Sequence, residues 1–267
     1  MQSVGNIYFI GHRGFIGQQV VPLILNNRGI FLSREDFENI STGQKHIDFS
    51  PDDILLNLAW DNLDNFRSPL HLTQTLGEHI RFYNSVLGMG LKNITTIGTC
   101  LEYGVVEGEL EEELHSNPSL PYSIAKDSLR KYLDYQKNNG DGFNFNWIRL
   151  FYVYGEGQSK RTIFGQLVEA VEKKSEVFDM SLGKQKRDYL HVRDVASIIY
   201  QIANGHESHG IVNCCSTSPV EMVDFVNQRL KEFGYVMKLN LGKYPYPTYE
   251  GMNFWGSVKK LNRILGK

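Results

Sequence analysis

In the stretch PYSIAK a tyrosine and a lysine stand four residues apart, Tyr122 and Lys126. Apolar residues at three- and four-residue spacing, among them Tyr122, Ala125, Leu129, Tyr132 and Leu133, predict an amphipathic helix over 121–138. Pro121 suits its first turn. Lys126 projects onto the apolar stripe one turn beyond Tyr122, whereas Asp127, Arg130, Lys131 and Asp134 fall on the opposite side, where solvent is expected. Two readings follow. The lysine stem can cover apolar surface while its ammonium snorkels to water. Alternatively the pair is placed for proton transfer: a phenol has an ordinary pKa of about 10, and a fixed ammonium one turn away favours phenolate and brings the group toward neutral pH.

A second constellation lies at the start of the chain. IYFIGHRGFIGQQV sets Gly11, Gly14 and Gly17 between an apolar strand and a helix, with His12, Arg13, Phe15 and Ile16 between the glycines. Glycines there permit a tight turn and let the backbone approach a pyrophosphate, whose charge the helix N-terminus attracts. The end of the second strand, in RGIFLSRED, then discriminates between nicotinamide cofactors. An acid at this place would bind the ribose hydroxyls of NAD. Ser33 and Arg34 come first here, and Arg34 can pair with a 2′-phosphate, with His12 and Arg13 adding positive charge. NADP is favoured on this ground. NAD is the alternative, because Glu35 and Asp36 follow at once.

These residues need a scaffold. Apolar runs at 6–10, 53–59, 92–98, 143–150 and 210–214 alternate with helical patterns at about 15–26, 70–89, 121–138, 161–173 and 193–203. Several runs are continuously apolar, as strands buried on both faces of a parallel sheet are. The succession predicts an α/β doubly wound (Rossmann) fold. Residues 1–155 and about 187–215 are expected to form it, with 156–186 and 216–267 as a small C-terminal substrate lobe; GKYPYPTYEG reads as loop.

With 267 residues, 41% hydrophobic and 22% charged, the chain can bury a large core, and a net charge of -2 gives no general affinity for nucleic acid or a membrane surface. No apolar run approaches the roughly 20 residues of a membrane span. The N-terminus enters a strand without a basic segment, so a signal peptide is not expected and a cytoplasmic location is. Cys100, Cys214 and Cys215 show no metal-ligand spacing, so no metal is expected.

The order of these segments resembles the extended short-chain dehydrogenase/reductase superfamily, in its branch of nucleotide-sugar epimerases, dehydratases and reductases. GxxGxxG is that superfamily's variant of the glycine loop, PYSIAK supplies its YxxxK pair, and IGTCLEYG at 97–104 resembles the strand end that carries a catalytic hydroxyl, here Thr99. RLFYVYGEGQ and RDYLHVRDVA look like two further segments of the branch. The resemblance implies that Thr99 holds a substrate oxygen beside the Tyr122 phenol and that Lys126 also bonds the nicotinamide ribose. It further implies adenine contacts from Asp48 and Phe49, a cleft wall from Leu58, Ala59 and Trp60, and Phe151 as a further cofactor contact. Cys100, Arg187 and Asn213 become substrate contacts, Arg187 toward the diphosphate; Tyr152 stands where many relatives have an Asn. A homodimer through segments 70–89 and 121–138 is also implied.

Within the branch, sugar 4,6-dehydratases place an Asp and a Glu directly after the Thr. Cys100 and Leu101 stand here, so dehydration is disfavoured. No His in YGEGQSKRTIF could serve a double epimerisation. The expected reaction is NAD(P)H-dependent reduction of a nucleotide-diphosphate 4-keto-6-deoxyhexose, and GTCLEYG resembles reductases of bacterial O-antigen and deoxysugar pathways. An NAD-dependent 4-epimerase is the alternative. A non-catalytic NADP sensor is a further one, although such proteins typically lose the Tyr or Lys.

Overall fold

The structure, a computed structural model, describes residues 5–25, 29–140 and 142–267. The first half runs β1 (Ile7–Ile10), α1 (Gly17–Ile24), β2 (Gly29–Leu32), α2 (Arg34–Ser41), β3 (Ile54–Asn57), α3 (Leu76–Gly88), β4 (Asn93–Thr99), β5 (Gly108–Leu110), α4 (Pro121–Asn139) and β6 (Asn144–Leu150). Then come β7 (Tyr152–Tyr154), α5 (Ile163–Glu172), β8 (Val177–Asp179), β9 (Lys186–Arg187), β10 (Tyr189–His191), α6 (Val192–Asn204) and β11 (Gly210–Cys214). The chain ends with β12 (Val220–Glu221), α7 (Met222–Glu232), β13 (Lys238–Asn240), β14 (Phe254–Gly256) and α8 (Lys259–Leu265).

Six strands pair in parallel in the order β11-β6-β4-β3-β1-β2. Side chains alternate across the pleat, so Tyr8 and Ile10 of β1 join α2, α3 and α4 in one core, while Ile7 and Phe9 join α1 and α6 in the other. Both faces are covered, which is why the strands read as continuous apolar runs. The expected doubly wound sheet is thus present. Its order reverses at β1, whose neighbours are β2 and β3, and a crevice opens at the carboxyl ends there.

Away from the sheet, Phe164 and Leu167 of α5, Phe178 of β8 and Phe225 of α7 form a smaller core. The tail is more ordered than its sequence suggests. Leu261 of α8 packs into the α1–α6 core and Lys260 donates to the Ile211 carbonyl of β11, so α8 returns to the large sheet, while β14 pairs with β5 in a separate two-stranded sheet. Asp188 is one strut of this junction: fully buried, it accepts from the amides of Ser216, Thr217 and Gly256.

Two sequence expectations for α4 need correction. Asp127 and Arg130 are buried, not solvated, with Arg130 Nη2 2.7 Å from Asp127 Oδ1. Ser116, from the segment between β5 and α4, comes beside Asp127 on that flank.

Candidate active site

The glycine loop fits a dinucleotide pyrophosphate. Gly11 has φ +90, and a Cβ there would lie 2.8 Å from the Ala59 amide nitrogen, so only glycine lets β1 and β3 meet at the crevice. A Cβ on Gly17 would fall 2.0 Å from the Gly11 carbonyl oxygen. At Gly14 the nearest atom would be 3.3 Å away, and its exposed backbone faces outward for a ligand to approach. Helix α1 opens at Ile16, which has no side-chain cap and is followed by no acid, so the positive end of the helix is left to favour an anion. The loop leads into a cleft of about 340 Å³. Its walls bring together Gly11, His12, Arg13, Gly14, Ser33, Arg34, Leu58, Ala59 and Trp60, all expected from sequence, with Phe37, Asp61, Leu63 and His79 added by the fold.

Phe15, Ile16 and Gly17 lie behind this wall, in the turn into α1. Asp48 and Phe49 do not line the cleft: the Asp48 side chain is fully exposed near His46, and Phe49 packs edge-on against Tyr8 at 4.9 Å. Phe151 is buried with Cys100 in a separate apolar patch.

Thr99, at the end of β4, and Tyr122 and Lys126, in the first turns of α4, come together as expected, each nearly closed to solvent. The Thr99 hydroxyl lies beside the Tyr122 phenol, close enough to favour its ionised form. Aromatic rings enclose that phenol: Phe66 stacks on it at 4.7 Å, Trp60 stands edge-on at 6.2 Å, and His71 is 5.3 Å away. Lys126 does not snorkel. Its Nζ donates to the Ile97 carbonyl at 2.8 Å and sits 4.1 Å over the Trp60 ring. Trp60 is thus shared between the cofactor cleft and the proton-transfer site.

Electrostatics at this triad differ from the expectation. Burial pushes the Tyr122 phenol above its ordinary value, reinforced by Glu102, and Thr99 only partly opposes this. Burial also brings Lys126 down to about 7, with Glu102 pulling the other way. The ammonium faces Ile97 and Trp60, so in this geometry desolvation outweighs its pull on the phenol.

Glu102 is the residue that sequence reasoning missed. Fully buried, it accepts from the Thr99 amide at 2.8 Å, from Trp147 Nε1 at 3.0 Å and from Arg149 Nε at 2.8 Å. Gly98 makes room for it, since a Cβ there would meet Trp147 Nε1 at 2.1 Å. One carboxylate therefore fixes the strand end from which Thr99 projects. The signal lay in two charges among apolar residues, Glu102 in the turn after β4 and Arg149 within β6: a buried charge must pair. Glu102→Gln is expected to destabilise the fold by about 3 kcal/mol, because Arg149 loses its counter-ion. Urea unfolding monitored by tryptophan fluorescence checks this.

On the substrate side, Cys100 is buried and its thiol is pushed up by burial. Arg187, 0% exposed, donates through Nη1 to the carbonyls of Lys186 and Met252, and its Nη2 lies 3.3 Å from Glu250. Tyr152 also donates to Glu250. Asn213 accepts from the Tyr103 hydroxyl at 2.8 Å and donates to the Leu110 carbonyl at 2.9 Å, so both ends of its amide are engaged by the protein. Both expected contacts lie inside the protein in this geometry, Asn213 as a strut between β5 and β11. Among the described residues no cluster of three His, Cys, Asp or Glu could hold a metal, and no helix is long and apolar enough to cross a membrane.

Comparison with known proteins agrees with this geometry. The sequence model of the NAD dependent epimerase/dehydratase family matches residues 7–215. The chain is 28% identical over 270 residues to a dTDP-6-deoxy-L-talose 4-dehydrogenase (NAD(+)) of Aggregatibacter actinomycetemcomitans, covering 94% of this chain and 99% of that one. A GDP-6-deoxy-D-talose 4-dehydrogenase of the same organism is 24% identical over 221 residues, 79% of this chain and 74% of the relative. Among solved structures, RMD from Pseudomonas aeruginosa complexed with NADPH superposes with a TM-score of 0.82 at 17% identity, covering 98% of this chain and 92% of that one. The chain belongs to the NAD dependent epimerase/dehydratase family, and it is an NAD(P)-dependent oxidoreductase of the short-chain dehydrogenase/reductase type.

Proposed function

We propose that the protein reduces the 4-keto group of a nucleotide-diphosphate 4-keto-6-deoxyhexose. The observation that carries this reading is the buried phenol of Tyr122, held beside Thr99 and in ring contact with Trp60, which lines the dinucleotide cleft. Bound in that cleft, a reduced nicotinamide supplies hydride to the ketone carbon. Thr99 holds the ketone oxygen, and Tyr122 gives that oxygen a proton as it becomes a hydroxyl. Raising the phenol pKa keeps Tyr122 a proton donor at neutral pH, as reduction requires.

Dehydration is not supported. Cys100 is buried with its proton held, Leu101 carries no acid, and Glu102 is locked to Thr99, Trp147 and Arg149. The names of the two relatives, both 4-dehydrogenases of 6-deoxytalose nucleotides, favour chemistry at C4; such an oxidation is the same hydride transfer run in reverse. A 4-epimerase remains the second reading, since it would use the same three residues with oxidised cofactor retained.

Either reduced dinucleotide can supply the hydride. The position of Arg34 favours NADPH from sequence, while its partners in the fold favour NADH. Helices α3 and α4 lie side by side, with Tyr132 donating to Asn84 at 2.7 Å, and Tyr135 is left exposed on α4, which supports the proposed two-helix homodimer. The test of function is a panel of UDP-, GDP-, CDP- and dTDP-linked 4-keto-6-deoxyhexoses with NADH or NADPH, followed by loss of reduced-nicotinamide absorbance. Oxidation with one nucleotide sugar supports the reductase. With the corresponding 4-hydroxy sugars and NAD, interconversion of C4 epimers without net change in the cofactor points to the epimerase, and cofactor binding with no turnover to a sensor.

A further inference from the structure

Arg34 opens α2 on the wall of the nucleotide cleft, where a 2′-phosphate would be met. It is already engaged by three carboxylates from three parts of the chain. Its Nε donates to Glu38 at 2.8 Å, its Nη1 to Asp61 just beyond β3, and its Nη2 to Glu78 of α3 at 3.3 Å. Ser33, the other donor at this corner, is also committed. Its hydroxyl and amide both donate to Asp36, at 2.8 and 2.7 Å, and the hydroxyl accepts from the Asp36 amide. Asp61 lines the same cleft as Arg34. Asp36 is balanced by Lys45 at 2.5 Å; of the remaining groups, Arg34 and Arg13 of the glycine loop are two cations against the three carboxylates Glu38, Asp61 and Glu78.

We infer that this corner selects the dinucleotide with a free 2′-hydroxyl, NAD(H), and that Asp61 and Glu78 are the residues that set the preference. A 2′-phosphate brings a charge of about −1.5 to −2. To bind, it must draw Arg34 away from its carboxylates and then rest against them. A ribose 2′-hydroxyl brings no charge and can donate to a carboxylate. Arg34 is half exposed, so each ion pair alone is weak; the selection comes from like charges gathered at one point. The inference rests on the reading of the cleft as a nicotinamide dinucleotide site and is independent of the sugar.

The test is equilibrium binding of NADH and NADPH, followed by quenching of tryptophan fluorescence at fixed ionic strength, in the natural protein and in the D61N/E78Q double variant. The natural protein is expected to bind NADH about 10-fold or more tightly than NADPH, and the double variant to shift that ratio toward NADPH by about 10-fold. The inference is overturned if the natural protein binds NADPH as tightly as NADH, or if the double variant keeps the ratio unchanged. Should neither dinucleotide bind, the reading of the cleft itself falls, an outcome distinct from a wrong preference. Sugar turnover enters none of these measurements.

Discussion

Tyr122→Phe lowers kcat/KM for sugar reduction by about 10³-fold, the loss expected when a positioned general acid is removed. The substitution deletes one oxygen and leaves the ring. Stacking on Phe66 and the edge contact with Trp60 survive, so the helix keeps its packing. The Thr99 hydroxyl still accepts from the Leu101 amide at 3.3 Å. The melting temperature should therefore move by only a few degrees, and NADH should still quench tryptophan fluorescence. Steady-state kinetics with binding measured alongside separates lost chemistry from lost structure. A variant that reduced sugar at the natural rate would remove Tyr122 from the mechanism.

Lys126→Met is expected to abolish turnover and yet to stabilise the protein. Lys126 is 4% exposed, and burial takes its pKa down to about 7 from the ordinary 10.5. Its folded-state pKa thus lies below its unfolded value, so the unfolded chain binds the extra proton more readily. Stability rises with pH between about 7 and 10.5 and is penalised in full below that window. Methionine fills similar volume without the penalty. The hydrogen bond to Ile97 and the contact with Trp60 are lost in exchange, so the gain is only part of the full linkage. A melting temperature higher by about 5 °C at pH 6 is expected, the difference shrinking toward pH 10. Thermal melts across that range check it; a gap that widened with pH would show that Lys126 is not held below its ordinary value. Stabilisation on removing a catalytic group is the expected trade at a strained site.

Tyr122, Lys126, Thr99 and the three glycines could be placed from sequence because each relation is local or sits at the end of one strand. Gly11 meets Ala59 only because β1 and β3 pair at the reversal of the sheet, and the alternation of strands and helices already pointed to that reversal. Longer-range pairings were not legible. Glu102 finds Arg149 because β4 and β6 align Gly98 with Arg149, a register that no local pattern encodes. Arg34 looked like a free cation, since Asp61 and Glu78 reach it from beyond β3 and from α3. Arg187 and Asn213 stood in the right order along the chain, but Glu250 and Tyr103, which hold them inside, come from distant segments. The surface face expected for α4 failed for the same reason, as Ser116, from the segment before the helix, comes beside Asp127.

The most direct test of the central claim follows the hydride itself. The protein would be supplied with a nucleotide-linked 4-keto-6-deoxyhexose and reduced nicotinamide dinucleotide carrying deuterium at both C4 positions of the nicotinamide, and the sugar product analysed by NMR and mass spectrometry. Deuterium at C4 of the product sugar, one atom for each cofactor oxidised, is the predicted result. A product that changed configuration without gaining deuterium, or a cofactor that kept its label while sugar was consumed, would contradict the account.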